Sequence, residues 1–421
     1  MPAFKGFRAR PLMIETIATP GDNPEAKPAA PPRARSRREL LKRLADVVSL
    51  PSSRVNAFER SMTADVLVDL LVDAEIDERA KVARRLSCLG DIPHGLVRLI
   101  LRDEVEVAAP LLEDTVALSD CDLLDCIAVA SPAHRRLIAG RKSVTEVVCE
   151  ALAARGEIAV IQTLLRNANA QFSHNAIERV LVMSRQAPGL CGHLLRRPEL
   201  RPNHAYVLFW WADAEARRTI LQRFAVSRDI LQDAAADVFA LAAAEGWSDS
   251  LSRKALQFIE RRQRNRAAID KSPFNSLEEA VTAAEAGLTR ELAEEIACLS
   301  GVKPMTGAKI ITDRGGEGLA ILCKSTGLPR GAVRSLWRGL RRAETTPSGE
   351  IDPDLDRVLT TFDMIAVDRA QTVLRYWNWS LSSAMTPQLL RTIREKDESA
   401  IEELSTQQRA AMLAFSSDIS P

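Results

Sequence analysis

From Glu39 onward, apolar residues recur about every 3.6 positions, the period of a helix buried along one stripe. The helices drawn this way are short. RAKVARRLSCL, EVEVAAPLLE, AHRRLIAG, IAVIQTLLR, GLCGHLLRR and EARRTILQRF each read as one helix, and each is followed by a polar break and a second apolar helix. Lining up Leu86, Leu112, Ile138, Leu165, Leu195 and Leu221 gives steps of 26, 26, 27, 30 and 26 residues. The partner helices carry Leu123/Leu124/Ile127, Val144/Val147/Val148/Leu152, Ile177/Val180/Leu181 and Ala205/Leu208/Phe209. The breaks LSDCD, RKSVT, QFSHN and AVSRD put Ser119, Ser143, Ser173 and Ser227 where an N-cap oxygen is wanted.

Two short helices cannot bury their apolar faces alone, but stacked neighbours can. The expected fold is therefore all-α: an α-solenoid of about six short helical pairs over 77–245, HEAT-like with a period of about 26–30, and a smaller C-terminal helical block. Residues 39–76 form an N-terminal helical cap, so the solenoid with its cap spans 37–247. Pro110 falls inside an apolar run. It removes a backbone donor and clashes with the Glu106 carbonyl. The face continued by Val105 and Ala108/Ala109 favours a helix running through it with a kink; the alternative is a helix starting at Pro110.

The rest of the chain divides on composition. Residues 1–36, rich in Pro, Ala and charge around PGDNPEAKPAAPPRARSRR, are expected to be a disordered tail with Arg33, Arg35, Arg37 and Arg38 as a solvated basic flank. A basic connecting helix (248–275) breaks at Pro273. A second helical block covers 276–345, where LSGVKPMTGAKI repeats 26 residues later as STGLPRGAVRSL, setting Gly301 over Gly327, Ile296 over Leu322 and Ile310 over Leu336. TPSGEID (346–352) reads as a linker to C-terminal helices at 353–378 and 387–415, within a final segment 346–421.

Of the 421 residues, 46% are hydrophobic and only 5% aromatic, the composition of helix formers around a sizeable core. The net charge of +1 gives no general argument for nucleic acid or an anionic membrane. The seven cysteines are scattered, which points to reduced thiols in a cytoplasmic protein. No secretory leader is evident in MPAFKGFRARPLMIETIATP, and no run of about 18 apolar residues predicts a membrane span.

Three motifs carry a resemblance: the VA-x-PLL run at 107–112, the IA-x-R step (Ile138, Ala139, Arg141) and LL-x-N-x-x-A-x-FS with Asn167, Ala170 and Phe172. Over roughly 75–225 the chain resembles the alphaproteobacterial proteins of the DUF2336 family, a domain of unknown function. The resemblance implies a HEAT-like helical repeat in a cytoplasmic bacterial protein. It implies no catalytic residues.

Candidate chemistry is sparse, and neither a catalytic residue nor a cofactor is expected. Asn167 suits a helix C-cap, and Arg141 suits the negative end of a helix dipole or the lining of a groove. Cys191, His193 and His204 have zinc-ligand chemistry without zinc-ligand spacing, so no metal site is expected. Cys121 and Cys126 read as core, and His134 as a surface histidine. DRGGEGLAI (313–321) reads as a turn into a helix. In AYVLFWWAD at most one of Trp210 and Trp211 faces the core at 100° per residue, and an exposed one would mark a partner site; Trp337, Trp377 and Trp379 would hold the C-terminal helices on the array.

The helix-turn-helix outline of LAILCKSTGLPRGAVRSLWRGLRR carries Arg330, Arg334 and Arg338, with Arg341 and Arg342 following. The preferred reading is a non-enzymatic scaffold or adaptor for a protein or peptide partner. The alternative is nucleic-acid binding through the basic helices 253–266 and 330–342.

Overall fold

The computed structural model describes residues 32–51, 53–226 and 266–382, and every regular element among them is a helix. The first stretch contains α1 (Pro32–Val48). The second contains α2 (Ala57–Val72), α3 (Ile76–Leu86), α4 (His94–Leu101), α5 (Val105–Asp114), α6 (Asp120–Val129), α7 (Pro132–Ala139), α8 (Glu146–Arg155), α9 (Ile158–Arg166), α10 (His174–Gln186), the single turn α11 (Cys191–Leu194), α12 (Pro202–Leu208) and α13 (Ala214–Arg223). The third contains α14 (Leu277–Ala284), α15 (Arg290–Leu299), α16 (Pro304–Thr312), α17 (Glu317–Thr326), α18 (Arg330–Gly339), α19 (Pro353–Met364) and α20 (Val367–Ser382). No helix among the described residues is long and apolar enough to cross a membrane.

Up to α12 the packing follows a simple rule: each helix touches the next but one. One row runs α1, α3, α5, α7, α9, α11; the other runs α2, α4, α6, α8, α10, α12. The six aligned residues Leu86, Leu112, Ile138, Leu165, Leu195 and Leu221 are all buried. Five of them lie on the odd row and Leu221 on α13, so the sequence period is the packing period.

The odd row is also stitched by hydrogen bonds. A helix C-terminus leaves carbonyls without an intrahelical partner. From α5 onward, at four successive junctions, a side chain one unit further along donates to carbonyls at or just past the helix end. Arg141 donates to Leu112 O (2.5 Å) and Thr115 O (2.8 Å). Asn167 Nδ2 donates to Ala139 O (2.9 Å) and Arg141 O (2.7 Å). Arg197 donates to Asn167 O (2.9 Å) and Ala170 O (2.6 Å), and Arg223 to Leu195 O. These donors fall at steps of 26, 30 and 26 residues, from 141 to 167, 197 and 223.

Several local expectations are corrected. The expected tail to residue 36 overlaps α1, which starts at Pro32. Arg37 and Arg38 stay at the surface, 39% and 49% exposed, and also pair: Arg37 with Leu70 O and Asp73, Arg38 with Glu75 and Glu78. Pro110 sits inside α5, so the helix runs through it. Ser119 and Ser173 cap α6 and α10 as expected. Ser143 does not cap α8; that position belongs to Thr145, whose hydroxyl donates to Asp120 instead. His134 is buried, because Ser131 Oγ meets its Nδ1 and its Nε2 reaches Asp103 O, a partner 31 residues away that no local pattern reveals. The expected helix at 353–378 is two helices, α19 and α20, broken at Ile365 and Ala366.

In the third stretch α17 is the buried axle, almost every residue of it enclosed by α16, α18, α19 and α20. The 26-residue echo holds: Gly301 and Gly327 each end a helix with positive φ (72° and 83°), and Ile296, Leu322, Ile310 and Leu336 are all buried. The tail before residue 32, Ser227, most of the basic connecting helix (248–265), the helix expected at 387–415 and the side chain of Trp379 lie outside the described residues.

Candidate interaction surfaces

Arg141 and Asn167 are used inside the fold, as the caps just described. Burial holds the Arg141 pKa below its ordinary value, though its three carbonyl partners keep the guanidinium in place. The two tryptophans both join the core. Trp210 is buried, and Trp211 is half-buried with its indole N–H on Ser184 Oγ at 3.0 Å. The expectation that only one faces inward fails because α12 ends at Leu208 and the chain turns through 209–211, so the 100° rule no longer applies. Trp377 of α20 stacks on Phe209 and Trp210, each with ring centroids 4.9 Å apart, and donates to Tyr206 O. It thus fastens α20 to α12. Trp337 stays within the third stretch, bonded to Ala343 O.

A second fastening is ionic. Arg217 of α13 is 5% exposed and stacks over Phe209. Its guanidinium donates to both oxygens of Asp313 (2.6 and 3.0 Å) and to Glu317 (3.0 Å), and Arg357 of α19 binds the other Glu317 oxygen at 2.9 Å. Two guanidinium groups therefore face two carboxylates, which offsets the cost of burying charge. The glycines of DRGGEG make room. A Cβ on Gly315 would stand 2.2 Å from Arg217 Nη1, and Gly316 holds φ +80° with its would-be Cβ 2.6 Å from Trp337. The turn into α17 is as expected; its role as acceptor for α13 was not legible, since Arg217 lies 96 residues before Asp313.

Two arginines of the basic face of α18 are ion-paired, and the two that follow it are bonded to backbone carbonyls. Arg330 pairs with Asp363, and Arg338 with Glu285 and Glu344. Arg341 donates to Ala286 O and Arg342 to Asp313 O. Arg334 has no such partner among the described residues. Cys191, His193 and His204 are not gathered: Cys191 Sγ faces Ser184 O and His193 faces Arg166. Burial, with help from His174 and Arg201, pushes the His204 pKa down to about 3. Burial pushes Cys126 up to about 11 and Cys149 and Cys323 up to about 12, the opposite of what a nucleophilic thiol needs.

One open groove lies at the N-terminal end. α1 packs on α3 less closely than α3 packs on α5, and leaves a groove of about 450 Å³. Its floor is Leu41, Ala45 and Val82; its rim is Arg38, Lys42, Lys81 and Arg85 with Glu39 and Glu78. The two acids are occupied, Glu78 by Arg38 and Glu39 by Arg43, and Arg85 is held by Asp46. Among the described residues Lys42 and Lys81 have no ion-pair partner, and both stand beside an apolar floor. Nearby, α2 turns Phe58, Met62 and Val66 outward at successive turns, 73%, 53% and 48% exposed. Neither feature shows in the sequence, because it depends on which face of α1 and α2 is left uncovered.

These features define an all-helical protein built of short helices in two rows, fastened to a second helical block by aromatic contacts and a buried ionic cluster. The chain belongs to the family described as "Uncharacterised protein conserved in bacteria (DUF2336)", which matches residues 107–375. The match runs from within α5 into α20, beyond the stretch near 225 where the motifs end, so the second block is part of the family's unit. The groove between α1 and α3 precedes it. The chain matches no curated protein and no solved structure.

Proposed function

We propose that the chain is a HEAT-like α-solenoid acting as a non-enzymatic scaffold or adaptor in the cytoplasm, and that it binds a protein partner through the groove between α1 and α3. The solenoid reading is supported by next-but-one packing and by the stitching donors at steps of 26 to 30 residues. The observation that carries the binding reading is the groove: an apolar floor with Lys42 and Lys81 on its rim, neither with an ion-pair partner among the described residues. That chemistry suits an acidic segment with an apolar anchor, laid along the groove as a helix or extended strand. The raised buried thiols support a scaffold over a thiol catalyst. The ion pairs of Arg330 and Arg338 weaken the nucleic-acid alternative, while Arg334 keeps its charge among the described residues.

The test is parallel affinity capture from native bacterial lysate with the wild-type chain and a Lys42→Glu/Lys81→Glu variant. Proteins recovered by the wild type and lost from the variant are expected, and their binding should weaken as salt rises. Identical recovery by both would remove the groove from the proposal.

A further inference from the structure

Two buried polar atoms without a well-made hydrogen bond stand in one cluster near the end of the even row. α10 carries His174 at its first position and Glu178 one turn later on the same face, with His174 Nε2 3.2 Å from Glu178 Oε1. α12 carries His204, 30 residues after His174 and 26 after Glu178. That offset is the repeat length, so stacking α12 on α10 sets the imidazoles together, with ring centroids 4.8 Å apart. One ligand atom from each of the three residues lies within 4.8 Å of the others.

His204 is 4% exposed. Its Nδ1 accepts a long bond from Arg201 N–H at 3.4 Å, and its Nε2 meets nothing. Glu178 Oε1 is buried and makes no well-aligned hydrogen bond, its one close neighbour being His174 Nε2 at 3.2 Å. The contrast is His134, the other buried histidine, which is bonded at both ring nitrogens. A buried polar atom without a well-made hydrogen bond is costly, and here two such atoms flank one small space.

We propose that His174, Glu178 and His204 bind a divalent ion of the zinc class, tying α10 to α12. Two imidazoles and one carboxylate are a zinc donor set that leaves a fourth position open. Ligands around a tetrahedral ion lie about 3.4 Å apart, so the cluster contracts on binding. His174, whose side chain is 33% exposed, is free to make that move. The His204 proton shifts to Nδ1 and the long bond from Arg201 is given up. The site is independent of the groove and stands or falls without it. The ordinary occupant of such a space is a bridging water, and the experiment separates the two.

The full chain, stripped with chelator, is titrated with cobalt(II) and then zinc(II). One equivalent of cobalt should bring up the visible absorption of a four-coordinate site. Zinc should abolish it, since zinc binds such donors more tightly than cobalt. Zinc should also raise Tm by a few degrees through mass action. His174→Ala and Glu178→Gln should each weaken cobalt binding at least about tenfold with unchanged far-ultraviolet circular dichroism. Both positions are partly exposed, so the test does not need a substitution at buried His204. A folded wild type that gives no visible band, or a band equally strong in His174→Ala, overturns the proposal and leaves water as the occupant.

Discussion

Arg141 occupies both sides of one junction: its guanidinium donates to Leu112 O and Thr115 O behind it, while its own carbonyl accepts from Asn167 Nδ2 at 2.7 Å ahead of it. Each unit is therefore capped by the next. Arg141→Ala should lower stability by about 2–3 kcal/mol, since buried carbonyls lose a charged donor. Arg141→Lys should recover little of this, because an ammonium cannot span carbonyls that a planar fork reaches together. Urea unfolding followed by circular dichroism measures both.

The ionic fastening gives a second expectation. Arg217→Ala leaves Asp313 and Glu317 with only Arg357 and Arg342 as nearby cations and without their shared fork, a loss of about 3 kcal/mol or more. Gly315→Ala should act in the same direction, as its Cβ cannot fit beside Arg217. Gly327→Ala, with open space around the would-be Cβ but φ +83°, should cost only about 1 kcal/mol of backbone strain. Thermal unfolding of the three variants orders them.

The Arg135–Glu157 pair sets a pH dependence. Its hydrogen bonds at 2.6 and 2.8 Å hold the Glu157 carboxyl below its ordinary pKa of 4.5. A group with a lowered folded pKa gives stability that is complete above the unfolded value and lost as pH falls through the folded one. Glu157→Gln should therefore be less stable than the wild type at neutral pH, and the gap should narrow progressively as pH falls below the ordinary carboxyl value of 4.5. Matched urea titrations across that range decide it.

Thiol reactivity should divide the seven cysteines cleanly. Cys88, Cys121 and Cys298 are exposed; Cys126, Cys149, Cys191 and Cys323 are buried with pKa values raised by desolvation. A chromogenic disulfide reagent at pH 8 should titrate three thiols quickly and four only after denaturant is added. More than three fast thiols would mean that the buried cysteines are reached by local opening.

Pro110 sits mid-helix in α5 without a donor for the Glu106 carbonyl. Pro110→Ala should restore that bond and raise stability by roughly 1 kcal/mol or more. Lower stability instead would show that the ring's packing outweighs the missing bond.

The sequence alone determined the helices, their period and most of their buried faces. Those properties depend on residues within a few turns of one another, and an apolar stripe records them directly. It also marked Arg141 and Asn167 as helix-end residues and Gly301 with Gly327 as equivalent turns. Where the chain comes together was settled only by the tertiary structure. Arg217 meets Asp313 across 96 residues, Trp377 meets Tyr206 across 171, and His204 meets His174 because one repeat stacks on the last. Such contacts depend on which faces the stacked helices turn toward one another, and a local period cannot state that. The surface reading of His134 failed for that reason: its side chain found a partner 31 residues back, and the free energy of that pairing overrode its local preference.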